Sequence, residues 1–297
     1  MLEMKKLKKD IKSKREYVNI YLDRYLPRKD EYPKQIHKSL RYTLFAGGKR
    51  LRPYLTIETY KLFKDDYEFV IPAAAALEIL HTYTLIHDDL PEIDDDDTRR
   101  GRKANHILFG SDLALLAGDS LLVNAFQLLT EVEIYSLKQK KHLITELAKV
   151  AGAKGLIGGQ MMDIISEGKT PTEKKLKFIH ENKTAKLIRL SIQYGLYLAK
   201  AKEEDEKRMI KFGDKLGLAF QIVDDILDIE GSKAQLGKTI GKDAEVAKIT
   251  FPAVYGLEKS REMAKKLIEE CKELLSVYKE KSYMLRLLSD FVYERKF

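Results

Sequence analysis

Apolar residues recur every three or four positions through most of this chain, which is the spacing of one face of an α-helix. The clearest helical segments are 113–129, 140–160, 183–200, 206–230 and 257–280. None of them alternates with the period of two that is typical of a strand, and no convincing strand pair, fixed-period repeat or low-complexity linker is found. The pattern therefore predicts an all-α fold, a single-domain helical bundle over residues 1–297, with sites between facing helices.

Prolines and capping residues predict where two of the helices begin or end. One helix begins near Pro72 and ends around Asp89, because Pro91 disfavours helical geometry at the residue before it. The stretch 170–173 (TPTE) matches a capping box with proline at the first helical position. It predicts that another helix starts there, with Thr170 as its N-cap.

Two aspartate-rich clusters lie far apart in the chain, at 87–97 (HDDLPEIDDDD) and 221–228 (QIVDDILD). Each follows an apolar helical stretch, so its carboxylates are expected beside a core, where they repel one another and lose hydration. Hard divalent cations that bind through oxygen would compensate for both effects. Mg²⁺ typically combines one or two carboxylates with water and phosphate oxygens, so a magnesium site that also binds phosphate is favoured.

The two clusters differ in the backbone geometry that would bring their carboxylates together. Asp94 is six residues beyond Asp88 and would point away on an unbroken helix, so a loop must fold it back for the two to share a metal. Asp224 and Asp228 are one turn apart, on a helix that is apolar around its circumference and is expected to be buried. The alternatives are a solvated acidic turn at 94–97 and an internal ion pair for the second cluster.

Four basic groups complement the acidic clusters: 47–53 (GGKRLRP), 99–102 (RRGR), Lys183-Thr184 at an expected helix break, and Lys238, Lys242 and Lys248 in and after a glycine-bearing loop. Any one of them is more often a solvated surface run, but together they supply the charge-assisted donors that a diphosphate requires. His81 lies seven residues before Asp88, hence on the same helix face. It is either a core histidine or a hydrogen-bond partner of the substrate.

Composition narrows the classes of function. The formal net charge of +8 admits a nucleic-acid partner, but a solvated Lys-rich surface is favoured because the basic motifs are compact and interleaved with glycine. Cys271 is the only cysteine, so an internal disulfide is excluded and a reducing, cytoplasmic location is expected. No unbroken apolar run approaches the ~20 residues that span a bilayer, so no stable membrane insertion is expected.

Taken together, these motifs resemble those of the trans-isoprenyl diphosphate synthases, of the farnesyl and geranylgeranyl diphosphate synthase type. The resemblance covers about residues 38–252, with a family-like basic pair at Arg295-Lys296. It implies one all-α domain around a deep central cavity, usually in a homodimer. The implied reaction is Mg²⁺-dependent head-to-tail condensation of isopentenyl diphosphate with dimethylallyl or geranyl diphosphate, with release of diphosphate.

The resemblance also implies a set of metal-binding carboxylates. Asp88 and Asp94 would bind two Mg²⁺ ions and Asp224 a third, while Asp228 would act through water. Asp89 belongs to the same catalytic group by its place in the motif. Mn²⁺ is the alternative metal.

Substrate-binding residues are implied in the same way. Arg99, Lys183 and Lys238 would hold the allylic diphosphate, whereas Lys49, Arg52, His81 and Arg100 would hold the diphosphate of isopentenyl diphosphate. Thr184 and Gln221 would present oxygens near the developing carbocation. Gly48, Phe220 and Lys248 complete the set.

Product length is expected to depend on the depth of the cavity. Tyr83 stands five residues before Asp88, roughly 7–8 Å along the helix at ~1.5 Å per residue. Its alternative role is ordinary core packing, which is compatible with forming the floor of the cavity. An aromatic residue at this position resembles the farnesyl-forming enzymes, so a fifteen-carbon product is favoured. Thr84 beside it is small, which leaves a twenty-carbon product as the alternative.

Three other classes of protein compete with this interpretation. A terpene cyclase would not need a second diphosphate site and usually carries a second metal motif rich in Asn, Ser and Glu, which is not found here. A non-catalytic regulatory subunit would tolerate loss of its aspartates, yet both clusters are complete. A nucleic-acid binder would require an extended cationic surface.

Overall fold

A computed structural model of the protein describes residues 2–230 and 248–294, and it is helical almost throughout. The helices are α1 (Leu2–Tyr25), α2 (Lys34–Leu44), α3 (Leu51–Lys61), α4 (Ile71–Asp88), α5 (Asn105–Phe109), α6 (Ser111–Glu131), α7 (Leu137–Ala151), α8 (Leu156–Ile164), α9 (Glu173–His180), α10 (Lys186–Ala199), α11 (Glu203–Glu230), α12 (Phe251–Tyr255), α13 (Leu257–Leu275) and α14 (Tyr283–Tyr293). Short 3₁₀ turns occupy Glu68–Val70 and Ser276–Ser282, and a π-helical turn at Glu181–Ala185 joins α9 to α10. The all-α fold predicted from the sequence is confirmed.

One short hairpin departs from the expectation that strands are absent. Strand β1 (Thr98–Arg99) pairs antiparallel with β2 (Arg102–Lys103). The two residues between them, Arg100 and Gly101, have φ angles of 55° and 74°. Positive φ at both central positions is the geometry of a two-residue hairpin turn, so the RRGR motif is a tight turn rather than an open loop.

Three predicted helix boundaries are wrong. The helix predicted over 257–280 ends at Leu275, where a 3₁₀ turn over Ser276–Ser282 follows it. The segment 140–160 is two helices, because the backbone is extended at Gly152 and α8 begins only after Gly155. The N-cap of α9 is Thr172 rather than Thr170, and its hydroxyl accepts a hydrogen bond from the Lys175 backbone N–H at 3.3 Å. Both threonines satisfy the local capping rule, so the choice between them depends on the residues around them.

Helix α7 begins with a capping box that the sequence reading missed. The Ser136 hydroxyl accepts a hydrogen bond from the backbone N–H of Gln139 at 3.3 Å, and the Gln139 side-chain oxygen accepts one from the Ser136 backbone N–H at 2.9 Å. Two otherwise unpaired N–H groups of the first turn are satisfied in this way.

Helices α4 and α11, which carry the acidic clusters, are buried among other helices. Helix α4 packs against α6 and α3, and the fully buried run Ala73–Ala76 is small enough to let these neighbours approach closely. Helix α11 packs against α13 and α10. The expectation that the second acidic cluster lies on a buried helix is confirmed, and both clusters therefore sit at the edge of the apolar core.

By length and composition alone, two helical segments of the described chain are long and apolar enough to cross a membrane, 68–88 and 111–131. Polar residues interrupt both segments, so neither was predicted as an unbroken apolar run. The first segment is a core helix with 78% of its apolar window buried. The second, which is α6, has only 39% of its window buried and therefore presents apolar side chains at the surface.

Candidate active site

The ends of α4 and α11 and the π-helical turn meet at one cavity of about 700 Å³. Most of the site residues predicted from the sequence line it, namely Arg52, His81, Tyr83, Thr84, Asp88, Asp94, Arg99, Lys183, Thr184, Phe220, Gln221, Asp224 and Lys248. Five predicted residues do not line it: Gly48, Lys49, Asp89, Arg100 and Asp228. Lys238 and Lys242, like Arg295-Lys296, lie outside the described residues. The fold thus brings carboxylates and cations from distant parts of the chain to one place.

A loop folds Asp94 back towards the end of α4, as the spacing of the first cluster required. The backbone N–H of Asp94 donates to the Asp88 carbonyl at 2.9 Å, and that of Asp95, whose φ is 47°, donates to the Leu90 carbonyl at 3.0 Å. Burial raises the pKa of Asp88, and the carboxylate of Asp94 adds to the rise against the opposing effect of Lys183. The two carboxylates therefore share one electrostatic environment.

Asp89 points away from the cavity and holds an arginine. Its carboxylate is 1% exposed and accepts hydrogen bonds from both Nε (2.8 Å) and Nη2 of Arg99, and Nη2 also donates to Asp96 at 3.1 Å. Burial acts to lower the pKa of Arg99, but Asp89 and Asp96 outweigh it and raise the pKa. Asp89, expected in the catalytic group, thus fixes the guanidinium of Arg99, which lines the cavity.

The π-helical turn presents Lys183 and Thr184 to the cavity without the helix break that the sequence suggested. A π-helical turn inserts extra backbone into a helix and is frequent at functional sites. Gly159 of α8 makes room for this turn, since a Cβ there would lie 2.4 Å from the Lys183 backbone nitrogen. The Lys183 ammonium donates to the Asp163 carboxylate at 2.6 Å.

A chain of hydrogen bonds links the π-helical turn to the second acidic cluster. The Thr184 hydroxyl donates to the side-chain oxygen of Gln221 at 2.7 Å, and the Gln221 amide donates to Asp225 at 2.8 Å. The other oxygen of Asp225 accepts from the Phe251 backbone N–H at 2.9 Å. Asp225 therefore orients Gln221 by fixing which end of the amide faces Thr184.

Asp224 and Lys248 connect the remaining parts of the site. Asp224 lines the cavity one turn above Asp228, which is buried and does not line it. The Lys248 ammonium donates to the Asp94 carboxylate at 2.9 Å, which ties the segment before α12 to the first acidic cluster. Asp94, which would bind a metal, is thus also paired with a lysine of the protein.

The donor set suits Mg²⁺ held jointly with phosphate. Among the residues that the structure describes, no three acidic, histidine or cysteine side chains lie close enough to hold a metal ion by themselves. Mg²⁺ commonly takes only one or two protein carboxylates and completes its shell with water and phosphate oxygens. Asp88, Asp94 and Asp224, which line the cavity together with Arg99, Lys183 and Lys248, fit that requirement.

The basic residues assigned to the second diphosphate divide between the cavity and its surroundings. Arg52 and His81 line the cavity. Burial lowers the pKa of His81 well below its ordinary value, with Arg52 and Arg100 adding to the effect, so the imidazole is neutral at pH 7. The ammonium of Lys49 lies 5.0 Å from the centroid of the Phe291 ring, a cation–π contact outside the cavity wall.

The apolar part of the cavity lies along α4 and α6. Tyr83 is buried, and its ring meets that of His87 edge to face, with centroids 5.5 Å apart and an interplanar angle of 89°. His87 Nε2 lies 3.0 Å from the Leu115 carbonyl of α6, so the pair bridges the two helices. Thr84 also lines the cavity, and its hydroxyl donates a hydrogen bond to the His81 carbonyl at 2.8 Å.

Sequence reasoning missed two polar residues of α8. Asp163 pairs with Lys183, and Gln160 lines the cavity with both polar atoms of its buried amide lacking a hydrogen-bond partner within the described chain. The signal was a pair of polar residues three apart, 160 and 163, in an otherwise apolar stretch. Such a pair shares a helix face and would have pointed to this site.

Comparison with known proteins agrees with this geometry. A family model described as polyprenyl synthetase matches residues 33–286. A geranylgeranyl diphosphate synthase of Cyanophora paradoxa is 42% identical over 284 residues, which is 95% of this chain and 94% of the relative. A farnesyl diphosphate synthase of Geobacillus stearothermophilus is 42% identical over 254 residues, 85% of each chain.

A solved structure shares the fold over nearly its whole length. The geranyltransferase of Helicobacter pylori, complexed with magnesium and isoprenyl diphosphate, has a TM-score of 0.84 at 30% identity and covers 96% of this chain and 97% of its own. Names of geranylgeranyl diphosphate synthases predominate among the most similar relatives. The comparisons therefore show the family and the class of reaction and leave the product length to the residues of the cavity.

Proposed function

The chain belongs to the polyprenyl synthetase family, and we propose that it condenses isopentenyl diphosphate with dimethylallyl or geranyl diphosphate, head to tail, releasing diphosphate. The observation that carries this proposal is the meeting of both acidic clusters with Arg99, Lys183 and Lys248 around one cavity. A protein that only bound a prenyl chain would not need cations and carboxylates from several distant segments of the chain beside an apolar pocket. Bound Mg²⁺ would neutralise the diphosphate of the allylic substrate.

Charge development on the leaving group is where these residues would act. When the allylic C–O bond breaks, negative charge accumulates on the departing diphosphate, and Arg99 and Lys183 would stabilise it more than the ground state. Both cations are fixed in advance by Asp89 and Asp163, so little reorganisation is needed during the reaction. This preorganisation is the main contribution that the chain's own residues make.

The carbocation needs a dry cavity with a few well-placed oxygens. The side-chain oxygens of Thr184 and Gln221 would face the allylic carbon and stabilise its positive charge without attacking it. The alkene carbon of isopentenyl diphosphate then forms the new C–C bond, and the proton lost from the neighbouring carbon passes to the departing diphosphate. Water in the cavity would trap the cation as an alcohol, so its apolar walls serve to exclude water.

A fifteen-carbon product is supported by Tyr83, whose buried ring narrows the apolar part of the cavity. The ring is braced by His87 and is therefore a fixed obstacle to a growing chain. A twenty-carbon product is the second candidate, favoured by the small Thr84 beside it and by the names of the most similar relatives. The two candidates share the same chemistry and differ only in when elongation stops.

A homodimer is also part of the proposal. Helix α6 exposes Leu115, Leu116 and Val123, and α5 just before it exposes Leu108. Several exposed apolar side chains on one helix are typical of an interface, and a two-fold axis would bury the same helix of both copies against each other. Leu122, seven residues after Leu115 and therefore beside it on the helix, lines the cavity, so the interface would lie next to the cavity wall.

The direct test is elongation of labelled isopentenyl diphosphate by the purified protein with dimethylallyl or geranyl diphosphate and Mg²⁺, followed by chromatography. We expect a prenyl diphosphate that is absent when the metal is chelated. Asp224→Asn should reduce turnover at least a hundredfold with helicity retained, an effect of the order seen when one transition-state contact is removed. Asp214→Asn, an exposed position on the same helix, is the matched control. A folded protein that elongates neither starter would overturn the proposal.

A further inference from the structure

A buried glutamate joins the two basic motifs of the chain. Glu78 on α4 is 1% exposed and does not line the cavity. Its carboxylate accepts hydrogen bonds from Arg50 Nη1 at 2.7 Å and from Arg100 Nη2 at 3.5 Å. Arg50 belongs to the motif GGKRLRP and Arg100 to the hairpin turn of RRGR, so one anion holds one arginine from each.

Arg50 is a structural member of this group. Its side chain is almost fully buried, and besides Glu78 it donates to the Asn19 side chain at 3.0 Å and to the carbonyl of Leu44. Its backbone has a φ of 52° and caps the N-terminus of α3. Arg50 therefore fixes the path of the chain between Lys49 and Arg52. Both of these residues were predicted to bind the diphosphate of isopentenyl diphosphate.

Arg100 is held against the same loop. Its Nη1 donates to the Gly47 carbonyl at 3.0 Å, and its own φ is 55°. Gly48 has a φ of 93°, and a Cβ there would lie 2.8 Å from the guanidinium carbon of Arg100. The guanidinium thus lies directly on the backbone of the glycine pair, in a position that only glycine permits.

The wall behind this group is strongly cationic. His81, one turn after Glu78 on α4, lines the cavity, and its pKa is lowered first by burial and then by Arg52, Arg100, Arg50 and Arg99. Several guanidinium groups so close together repel one another unless an anion compensates. Glu78 is the carboxylate that touches two of them.

We infer that Glu78 is a positioning residue for the second diphosphate site, the one that holds the substrate that is not ionised. The inference rests on the proposed function, because it takes as the cations of that site Arg52, which lines the cavity, and Lys49 and Arg100, which lie outside its lining. Glu78 anchors Arg100 and Arg50 together, so the loop and the hairpin present their cations in a fixed geometry. The allylic diphosphate depends instead on Arg99 and Lys183, which have their own carboxylates.

The test is Glu78→Gln, which preserves the shape of the side chain and removes its charge. We expect the KM for isopentenyl diphosphate to rise roughly tenfold or more, as for loss of one charge-assisted hydrogen bond. The KM for the allylic substrate should change less than twofold. Glu78→Asp, which keeps the charge, should recover part of the affinity.

Glu58→Gln is the matched control. Glu58 is a glutamate of α3 that is 2% exposed and paired with Lys14, away from the cavity. The Glu58→Gln substitution should lower thermal stability, as Glu78→Gln does, but it should leave the KM values for both substrates unchanged. Parallel changes in the two KM values for Glu78→Gln, or none, would overturn the inference while the wild-type protein still condensed its substrates.

A second measurement does not depend on turnover. Calorimetric binding of isopentenyl diphosphate to wild type, Glu78→Gln and the double variant Glu78→Gln/Arg50→Gln reports on the same site even if the wild-type protein does not elongate. The double variant removes one charge of each sign and so guards against loss of the fold through an uncompensated buried arginine. Affinity unchanged in a folded variant would contradict the role given to Glu78.

Discussion

Lys183 on the π-helical turn donates a hydrogen bond to Asp163 of α8 at 2.6 Å, so a cavity cation is held by a carboxylate of the protein itself. Burial acts to lower the pKa of Lys183, but Asp163, Asp88 and Asp94 outweigh it and raise the pKa. The lysine therefore stays charged inside the cavity. Its position depends on α8 as well as on its own helix.

We expect Asp163→Asn to lower kcat/KM for the allylic substrate on the order of a hundredfold, because a displaced Lys183 no longer meets the leaving group in the right geometry. Steady-state kinetics with varied geranyl diphosphate would measure it. Asp290→Asn, which breaks the 2.8 Å pair with Lys272 between α13 and α14, is the control and should be neutral. Equal kinetics in the two variants would remove Asp163 from the site.

Tyr83→Ala should lengthen the product, because under the proposed function the buried ring would block a growing chain. Chromatography of the hydrolysed products would show the shift from fifteen towards twenty carbons or more. Tyr60→Ala is the matched control: Tyr60 of α3 is equally buried at 6% exposure but does not line the cavity. Both variants should lose stability from the cavity created. If the product distribution of Tyr83→Ala matched wild type, the ring would not be the floor.

Val123→Glu should produce a monomer, because a charge on the exposed apolar face of α6 would have to be buried in the interface. Light scattering after gel filtration gives the mass, and circular dichroism shows whether helicity is kept. Val277→Glu places the same charge at an exposed valine outside α6 and should leave the mass unchanged. A wild-type protein that is monomeric at micromolar concentration would mean that a second copy does not cover this face.

His180 should make stability fall in mild acid. Burial lowers its pKa from 6.5 to about 4, against the opposing effect of Asp163. Between these two values the unfolded chain binds a proton that the folded chain does not. The free energy of unfolding therefore decreases as the pH falls from about 6.5 to about 4, by up to roughly 3 kcal/mol from this residue.

Denaturant unfolding at several pH values would measure this dependence. His180→Phe keeps the stacking on Phe251, whose ring centroid is 5.0 Å away, but removes the titrating group. His81 remains in both proteins, so the difference between the two pH profiles isolates His180. Parallel profiles would show that His180 does not contribute.

Cys271 should resist thiol reagents until the protein opens. The side chain is fully buried, its Sγ is 3.8 Å from the Phe212 carbonyl, and burial raises its pKa to about 12. The thiolate, which is the reactive form, is therefore scarce at pH 8. A colourimetric thiol reagent should modify the native protein slowly. In guanidinium it should react at once with one thiol per chain. Native labelling as fast as that of the unfolded chain would contradict the packing of α13 on α11.

Several features that depend on residues close in sequence were predictable. Pro91 marks the end of α4 because its ring clashes with the preceding residue whatever surrounds it. The return of Asp94 to Asp88 was expected from the six-residue spacing together with the hypothesis that the two share a metal, since an unbroken helix would separate them. The stripe of Gln221 and Asp224 follows from helical periodicity, and both reach the cavity.

Features that depend on pairing between distant elements were not. Asp88 and Asp89 are equivalent in sequence, yet one lines the cavity and the other is turned to Arg99. The pairing of Glu78 could not be predicted either, because its partner Arg50 is 28 residues away on another element. A carboxylate in a core takes whichever cation the packing brings to it, and that choice is made by the neighbouring helices.

By itself, then, the sequence determined the all-α class and the two acidic clusters, and it supplied the hypothesis of diphosphate and metal chemistry, because each is set by residue type and short-range periodicity. Only the tertiary structure decided which carboxylates face the cavity and which hold arginine or lysine, and that α8 contributes Asp163 and Gln160. The physical reason is that desolvation and ion pairing depend on atoms brought together from distant parts of the chain. Burial therefore divides chemically identical side chains into those that would bind the substrate and those that hold them in place.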